Sequence, residues 1–208
     1  MPGYERAKRI VDVGVSALIL VVTAPVQLVV AGVVLADVGR PVLFRQPRPG
    51  KDAKVFELVK FRTMRRADVT HVTDAERLTR IGRFLRSTSL DELPTFWNVL
   101  RGEMSLVGPR PLLVEYLSRY TPEQSRRHQV VPGVTGLAQV SGRNNLSWDE
   151  KLALDVYYVD HRTPGLDVSI LMRTLGQVVR RAGISADGHA TAPEFRGSGI
   201  AAEGQHDS

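Results

Sequence analysis

Val13 to Ala36 is a run of 24 residues without a charge, rich in Val, Leu and Ala. By length it is a transmembrane helix candidate, and the rest of the chain must be arranged around where it goes. Pro25 falls at its middle and splits it into two arms of 12 residues, the second counted from Pro25 itself. At a rise of ~1.5 Å per residue each arm reaches ~18 Å, short of the ~30 Å hydrocarbon core. A proline there removes one ladder bond and clashes with the preceding turn, and Thr23 is placed to satisfy a carbonyl freed by the bend. Arg6, Lys8 and Arg9 precede the run; Arg40, Arg45, Arg48, Lys51 and Lys54 follow it. Positive charge on both sides argues that both ends stay on the cytoplasmic face. A straight span and a helix that enters the membrane and turns back both stand at this level. A signal peptide fits less well, because the run is too long for an ordinary apolar region, although Val34-Leu35-Ala36 has the form of a cleavage site.

The 208 residues suffice for one ordinary core, and their composition is that of a folded chain. Lys plus Arg number 28 against 22 acidic residues, a net charge of +6. An anionic partner is therefore expected, whether nucleic acid, a membrane surface or a phosphorylated small molecule. Basic runs interleaved with aromatics are missing, which counts against nucleic acid. The lack of cysteine excludes a disulfide scaffold and a thiolate metal site.

After the apolar run, Val42-Leu43-Phe44 reads as a short strand and Arg45 to Asp52 as a basic, proline- and glycine-rich turn. Val55 to Phe61 reads as the returning strand. Asp74 to Arg86 reads as one helix with Leu78, Ile81 and Leu85 on a common face. Met104 to Val107 is a short apolar segment leading into Gly108-Pro109-Arg110-Pro111, where two prolines pin the backbone around one guanidinium. Thr121-Pro122-Glu123-Gln124 opens a short basic helix, and beyond the Pro132-Gly133 break Leu137 to Val140 reads as extended. Ser147-Trp148-Asp149-Glu150 starts a capping-boxed helix whose apolar face is Trp148, Leu152, Val156 and Val159. Asp167 to Arg181 is amphipathic, with Val168, Leu171, Met172, Leu175 and Val179 along one side; it suits either the membrane interface or the core. From Ser185 onward the composition predicts a disordered tail.

The chemistry concentrates at Ser89-Leu90-Asp91-Glu92-Leu93-Pro94. Ser89 and Glu92 have the spacing of a capping box, yet with Ser89 as N-cap, Pro94 would fall deep enough in the helix to lose a hydrogen bond. A cap at Leu90 or Asp91 instead puts Pro94 in the first turn and an ionised carboxylate at the positive end of a helix that stops at Gly102. An anionic phosphate is welcome in the same place. Walker and G-x-G-x-x-G loops, H-E-x-x-H and G-x-S-x-G are all absent, and the histidines form no metal pair. What remains is an acidic dyad among arginines on a membrane-embedded chain. That combination suits phosphoryl transfer, with carboxylates holding a divalent cation, arginines neutralising a diphosphate, and an aspartate attacking phosphorus to give an acyl phosphate. Mg²⁺ is the matching cation, because it takes hard oxygen ligands and keeps several waters. The competing class, a membrane-anchored binding module, explains the charge and the anchor but leaves the dyad without a task.

Taken in order, these segments resemble the bacterial sugar transferases, more narrowly the small monotopic phosphoglycosyl transferases. The resemblance covers Tyr4 to about Ser185. It is carried by Lys8-Arg9-Ile10-Val11-Asp12, by Gly39-Arg40-Pro41-Val42 with Gln46, Arg48 and Gly50, and by Lys60-Phe61-Arg62-Thr63-Met64. It continues through Ser89 to Pro94, Asn98-Val99-Leu100, Met104 to Pro111, Pro132 to Gly136 and Gly142-Arg143-Asn144.

The resemblance implies a mostly helical α+β fold. Residues 1–38 would form a re-entrant membrane helix-break-helix with Pro25 at the break, and 39–184 a cytosol-facing catalytic domain with a β-hairpin and interfacial helices. Residues 185–208 would be the disordered tail. It also implies a reaction. Asp91 would attack the sugar-bearing phosphoryl group of a UDP-sugar, releasing UMP, and polyprenyl (undecaprenyl) phosphate would then take the phosphosugar. Such a step opens exopolysaccharide, O-antigen, capsule or glycoprotein synthesis at the bacterial inner membrane. Glu92 would join Asp91 on Mg²⁺; Lys60, Arg62, Arg86, Arg110 and Arg143 would meet substrate phosphates. Lys8 and Arg9 would face the polyprenyl phosphate head group. No nucleic-acid partner is expected, and a homodimer is left open.

Two positions depart from the family pattern. Ala24 stands directly before the membrane proline where Ser is common, leaving Thr23 as a stand-in, and Glu103 stands where Asp is usual. The apolar run begins almost at the first residue, so the extra transmembrane segments of larger relatives are not expected.

Overall fold

The computed structural model describes residues 2–66, 73–142, 146–180, 194, 195 and 197. Its first element, α1 (Pro2–Val38), runs as one helical element through Pro25, where the resemblance implies two helices parted by a break. Side chains bond the disturbed turn: Thr23 Oγ1 donates to the Ile19 carbonyl at 2.6 Å, and Gln27 Nε2 donates to Thr23 Oγ1 at 3.0 Å. Such bonds let a helix bend at a proline without ending there. Around that turn the apolar side chains stand bare, Val21 being 73% and Leu28 75% exposed. Water does not tolerate so continuous an apolar surface.

Next comes an antiparallel hairpin, β1 (Leu43–Pro49) with β2 (Val55–Phe61), in which Leu43 faces Phe61 and Pro49 faces Val55. The strand is therefore longer than Val42 to Phe44, and Arg45 and Arg48 lie within it, not at its tip. Pro47 and Pro49 are tolerated because β1 has a neighbour on only one side, so a missing donor can face outward. The tip is a short 3₁₀ turn (Lys51–Ala53), with Asp52 and Ala53 at positive φ.

The single helix expected over Asp74 to Arg86 is two. α2 (Asp74–Arg77) carries a capping box from Thr73 and Glu76, and α3 (Arg80–Ser87) restarts at Thr79, whose hydroxyl accepts from the Gly82 N–H. Leu78 between them bridges to Met64. Thr79 competes for the backbone as a cap and wins over helix continuation. Leu85 is buried, whereas Ile81 and Phe84 are exposed. After α4 (Thr95–Arg101), β3 (Ser105–Val107) pairs in parallel with β4 (Gly133–Thr135). Glycine is obligatory at the end of that pairing: a Cβ on Gly133 would lie 2.1 Å from the Gly108 nitrogen.

α5 (Pro122–Ser125) has the predicted box of Thr121 and Gln124 and passes into a 3₁₀ turn. α6 (Leu137–Ser141) is helical where an extended piece is expected; the extended pairing falls earlier, on β4. α7 (Trp148–His161) carries its capping box, buries Leu152, Val156 and Val159 as predicted, and adds Tyr158 to the core. The central core joins Leu106, Val107, Val130, Leu137, Val140, Tyr158, Val159 and Ile170.

In α8 (Pro164–Arg180) the side that packs on the body carries fully buried Ile170, with Leu166 and Leu171 beside it, together with polar residues. Thr174 bonds Thr135, and Arg173 and Gln177 donate to the Val140 carbonyl. Val168, Met172 and Leu175 face outward, each about 60% exposed. Of the segment read as a disordered tail, Glu194, Phe195 and Gly197 are described, and there the expectation fails: Phe195 is buried among Tyr116, Tyr120 and Trp148.

Both ends of α1 dock on this one body. Near its start, Asp12 accepts from the Leu106 N–H at 3.1 Å, and Tyr4 and Lys8 bond Asp167. Near its end, Val30 and Val34 pack on Phe61 and Leu85, and Thr79 Oγ1 donates to Asp37 at 2.5 Å.

Candidate active site

β2 and α4 are stitched together by one buried amide. Asn98 is fully enclosed; its Oδ1 accepts from the Val59 N–H at 3.1 Å, and its Nδ2 donates to the Glu57 carbonyl and the Glu103 carboxylate, each at 2.7 Å. Thr95 Oγ1 adds a bond to the Val59 carbonyl at 3.0 Å. With Val59 held through both its backbone groups, the next residue, Lys60, is aimed at the turn before α4. Its Nζ lies 2.6 Å from Glu92 Oε1, and Arg110 Nη2 lies 2.8 Å from the same oxygen.

The dyad itself occupies a 3₁₀ turn (Leu90–Glu92), and α4 begins afterwards with Pro94 as its N-cap. The capping box suggested by Ser89 and Glu92 does not form. Ser89 adopts the left-handed conformation (φ 58, ψ 16) and makes no side-chain cap, while the Glu92 carboxylate is held by cations. Nor is Asp91 at the cap of α4: the chain turns once before the helix starts, which accommodates Pro94 without losing a helical hydrogen bond. A left-handed non-glycine residue directly before two carboxylates is a strained junction of the kind found at functional sites.

The two carboxylates have opposite environments. Burial alone would raise Glu92, but Arg110 and Lys60 outweigh it and hold its acid well below the ordinary range. Asp91 is buried, 8% exposed, and accepts no hydrogen bond and forms no ion pair among the described residues. Burial, followed by the Glu92 charge, pushes it up to about 6 against the pull of Lys60, Arg86 and Arg110. Arg86 is oriented by its Nε bond to Thr63 Oγ1 at 3.0 Å, and burial pushes its own pKa below the ordinary guanidinium value.

Of the cations the sequence singles out, Lys60, Arg86 and Arg110 converge on the dyad. Lys8 is instead paired with Asp167 at 2.7 Å. Arg9 caps α4, donating to the Val99 and Leu100 carbonyls at 2.5 and 2.7 Å. Arg62 donates to the Val38 carbonyl at the end of α1, with its Nε and Nη1 buried and lacking an acceptor among the described residues. Arg143 lies outside the described residues.

Sequence reading misses the residues that hold Arg110. Arg127, 2% exposed, pairs with buried Asp155 at 2.6 Å and donates through Nη2 to the Arg110 carbonyl at 2.7 Å. Arg48 Nη1 donates to the Pro111 carbonyl at 3.3 Å from the hairpin side. Nothing distinguishes Arg127 in a run of Arg126, Arg127 and His128. Asn98, by contrast, carried a signal, being a lone polar residue inside Phe96-Trp97-Asn98-Val99-Leu100.

A buried carboxylate left without a partner beside one clamped by two cations can serve as a nucleophile next to an anion site. Comparison with known proteins bears on the family. The family described as Bacterial sugar transferase matches residues 3–181. The Bacillus subtilis protein named "Uncharacterized sugar transferase EpsL" is 47% identical over 195 residues, covering 92% of this chain and 96% of that protein. A Caulobacter vibrioides protein named "UDP-glucose:undecaprenyl-phosphate glucose-1-phosphate transferase" is 40% identical over 181 residues, 81% of this chain and 68% of its own length. The Salmonella typhimurium "Undecaprenyl-phosphate galactose phosphotransferase" is 37% identical over 196 residues, 85% of this chain but 41% of that protein. This chain thus spans nearly all of the Bacillus protein and under half of the Salmonella one. With its family match running from the first turns of α1 to the end of α8, the chain belongs to the bacterial sugar transferase family.

Proposed function

We propose that the protein transfers a sugar-1-phosphate from a UDP-sugar to polyprenyl phosphate through a covalent intermediate on Asp91. The observation that carries this reading is Asp91 itself: buried, unbonded among the described residues, and flanked by Lys60, Arg86 and Arg110. A carboxylate oxygen of Asp91 attacks the sugar-bearing phosphorus, the bond to the bridging oxygen breaks, and UMP leaves with that oxygen. A phosphate oxygen of the polyprenyl acceptor then attacks the phosphorus of the acyl phosphate. The Asp91 carboxylate is released, and the product is a polyprenyl diphosphate sugar. Arg110 and Lys60 keep Glu92 charged and sit where the diphosphate charge would build up.

Asp91 and Glu92 fit a Mg²⁺ ion, since Asp91 and the second Glu92 oxygen have no hydrogen-bond donor among the described residues, and two adjacent buried carboxylates repel until a cation joins them. Among the described residues no group of three His, Asp or Glu side chains could hold a metal, which suits an ion that keeps waters and takes substrate oxygens. When bound, Mg²⁺ would neutralise diphosphate charge.

The proposal places residues 1–38 in the membrane as a bent, re-entrant hairpin and 39–184 on the cytoplasmic side of the inner membrane. Its support is the docking of both ends of α1 on one body, with the bare apolar surface between them. A straight helix of this length would extend ~55 Å and carry its ends to opposite faces of a bilayer. The outward apolar stripe of α8 would lie in the interface. Relatives carry names for both glucose and galactose transfer. A panel of UDP-hexoses and UDP-N-acetylhexosamines, scored for UMP release with undecaprenyl phosphate and Mg²⁺, tests the reading; release from none of them contradicts it.

A further inference from the structure

Phe195 is an isolated aromatic in a stretch of small and polar residues, yet it is 2% exposed. Its ring centre lies 5.4 to 5.6 Å from those of Tyr116, Tyr120 and Trp148. The backbone is fastened too: the Phe195 N–H donates to the Tyr116 hydroxyl at 3.2 Å, and Arg119 bonds the Phe195 carbonyl and pairs with Glu194 at 2.6 Å. Three ring contacts and three polar ones hold two adjacent residues against the body.

From this plug a continuous path leads to the dyad. Tyr120 stacks on Phe195 at 27° and its hydroxyl accepts from Arg127 Nη1 at 3.3 Å. The Arg127 guanidinium also lies 5.7 Å from the centre of the Tyr120 ring. Arg127 donates to the Arg110 carbonyl, and Arg110 grips Glu92. Arg110 is half exposed at its own side chain, so its aim depends on how firmly its main chain is held.

We propose that Phe195 is a positioning residue for Arg110. By filling the space between Tyr116, Tyr120 and Trp148 it fixes the Tyr120 ring against Arg127, and Arg127 fixes the main chain from which Arg110 reaches Glu92. The proposal rests on the phosphotransfer reading above. A double-mutant cycle measures the coupling along this path.

The test uses the full chain in lipid nanodiscs, with UMP release from the UDP-sugar panel and undecaprenyl phosphate as readout and the melting temperature as a control on folding. Phe195→Ala is expected to lower kcat about tenfold, as expected for a misplaced catalytic neighbour, and Phe195→Leu, which refills the space, to recover most of it. In an Arg110→Lys background, Phe195→Ala is expected to cost less than about twofold more, because the group it positions is already altered. An unchanged kcat in Phe195→Ala, or the same fold-loss in both backgrounds, would overturn the positioning role while leaving the phosphotransfer reading intact. A wild-type protein inert toward every donor would overturn both.

Discussion

Arg110 Nη2 donates to Glu92 Oε1 at 2.8 Å, and no comparable bond reaches Asp91 among the described residues, although the two carboxylates are adjacent in sequence. In the proposed reaction these opposite treatments divide the labour: Glu92 would be the anchored charge, and Asp91 the group left free to react.

That freedom costs stability. The acid of Asp91 is higher in the folded chain than in an unfolded one, so its charged form disfavours folding. The penalty is absent below pH ~4 and fully present once pH rises through about 6, and a rise from 3.8 to about 6 corresponds to about 3 kcal/mol. Asp91→Asn should therefore melt several degrees higher than wild type at neutral pH, with no such difference at pH 4. Thermal unfolding of the two proteins in detergent at both pH values checks this.

Activity should have an acidic limb near pH 6, because Asp91 must be ionised to attack and loses its charge as pH falls through that value. A cation on the dyad favours the ionised form. Raising Mg²⁺ should thus move the limb to lower pH. A limb that ignores Mg²⁺ in single-turnover UMP release would argue against metal on these carboxylates.

Arg127→Ala would leave the Asp155 carboxylate buried without its partner and should cost about 3–5 kcal/mol. Arg127→Met with Asp155→Leu should recover most of that stability but not activity, since the Arg110 carbonyl still lacks its donor. Denaturant unfolding beside UMP release separates the two effects.

Asn98→Leu would orphan the Val59 N–H and the Glu57 carbonyl in a dry site, at a cost of about 1–3 kcal/mol for each buried group left unsatisfied. Because Val59 precedes Lys60, the loss should also reach kcat. Equal kcat in a folded Asn98→Leu protein would break the link drawn between β2 and the dyad.

The topology of α1 has its own check. Cysteines placed at Tyr4 and Arg40 should both react with an impermeant thiol reagent from the cytoplasmic side of inverted vesicles. Labelling of one from each side would show a span.

Much of this was legible in the sequence, and the reasons are local. Thr121, Ser147 and their partners three residues on announce helix starts because a cap is a short-range hydrogen bond. The dyad was also readable, whereas of the seven cations that the resemblance offered only Lys60, Arg86 and Arg110 converge on it among the described residues. What was not readable is tertiary. Ser89 and Glu92 have capping-box spacing, but Lys60 and Arg110, distant in sequence, take the carboxylate instead. The outward apolar stripe of α8 has the same periodicity as an inward one; the side that meets the body is the one with Ile170 in the core and Thr174, Arg173 and Gln177 bonding it. Lys8 and Arg9 look free in sequence, and Asp167 and the end of α4 claim them in the fold.

The most direct test of the central claim is intact-mass spectrometry of the protein after incubation with its UDP-sugar and Mg²⁺ in the absence of polyprenyl phosphate. A phosphosugar adduct that maps to Asp91, is discharged by added undecaprenyl phosphate and is missing from Asp91→Asn is the predicted result. Undiminished product formation by Asp91→Asn, or an adduct on any other residue, would contradict it.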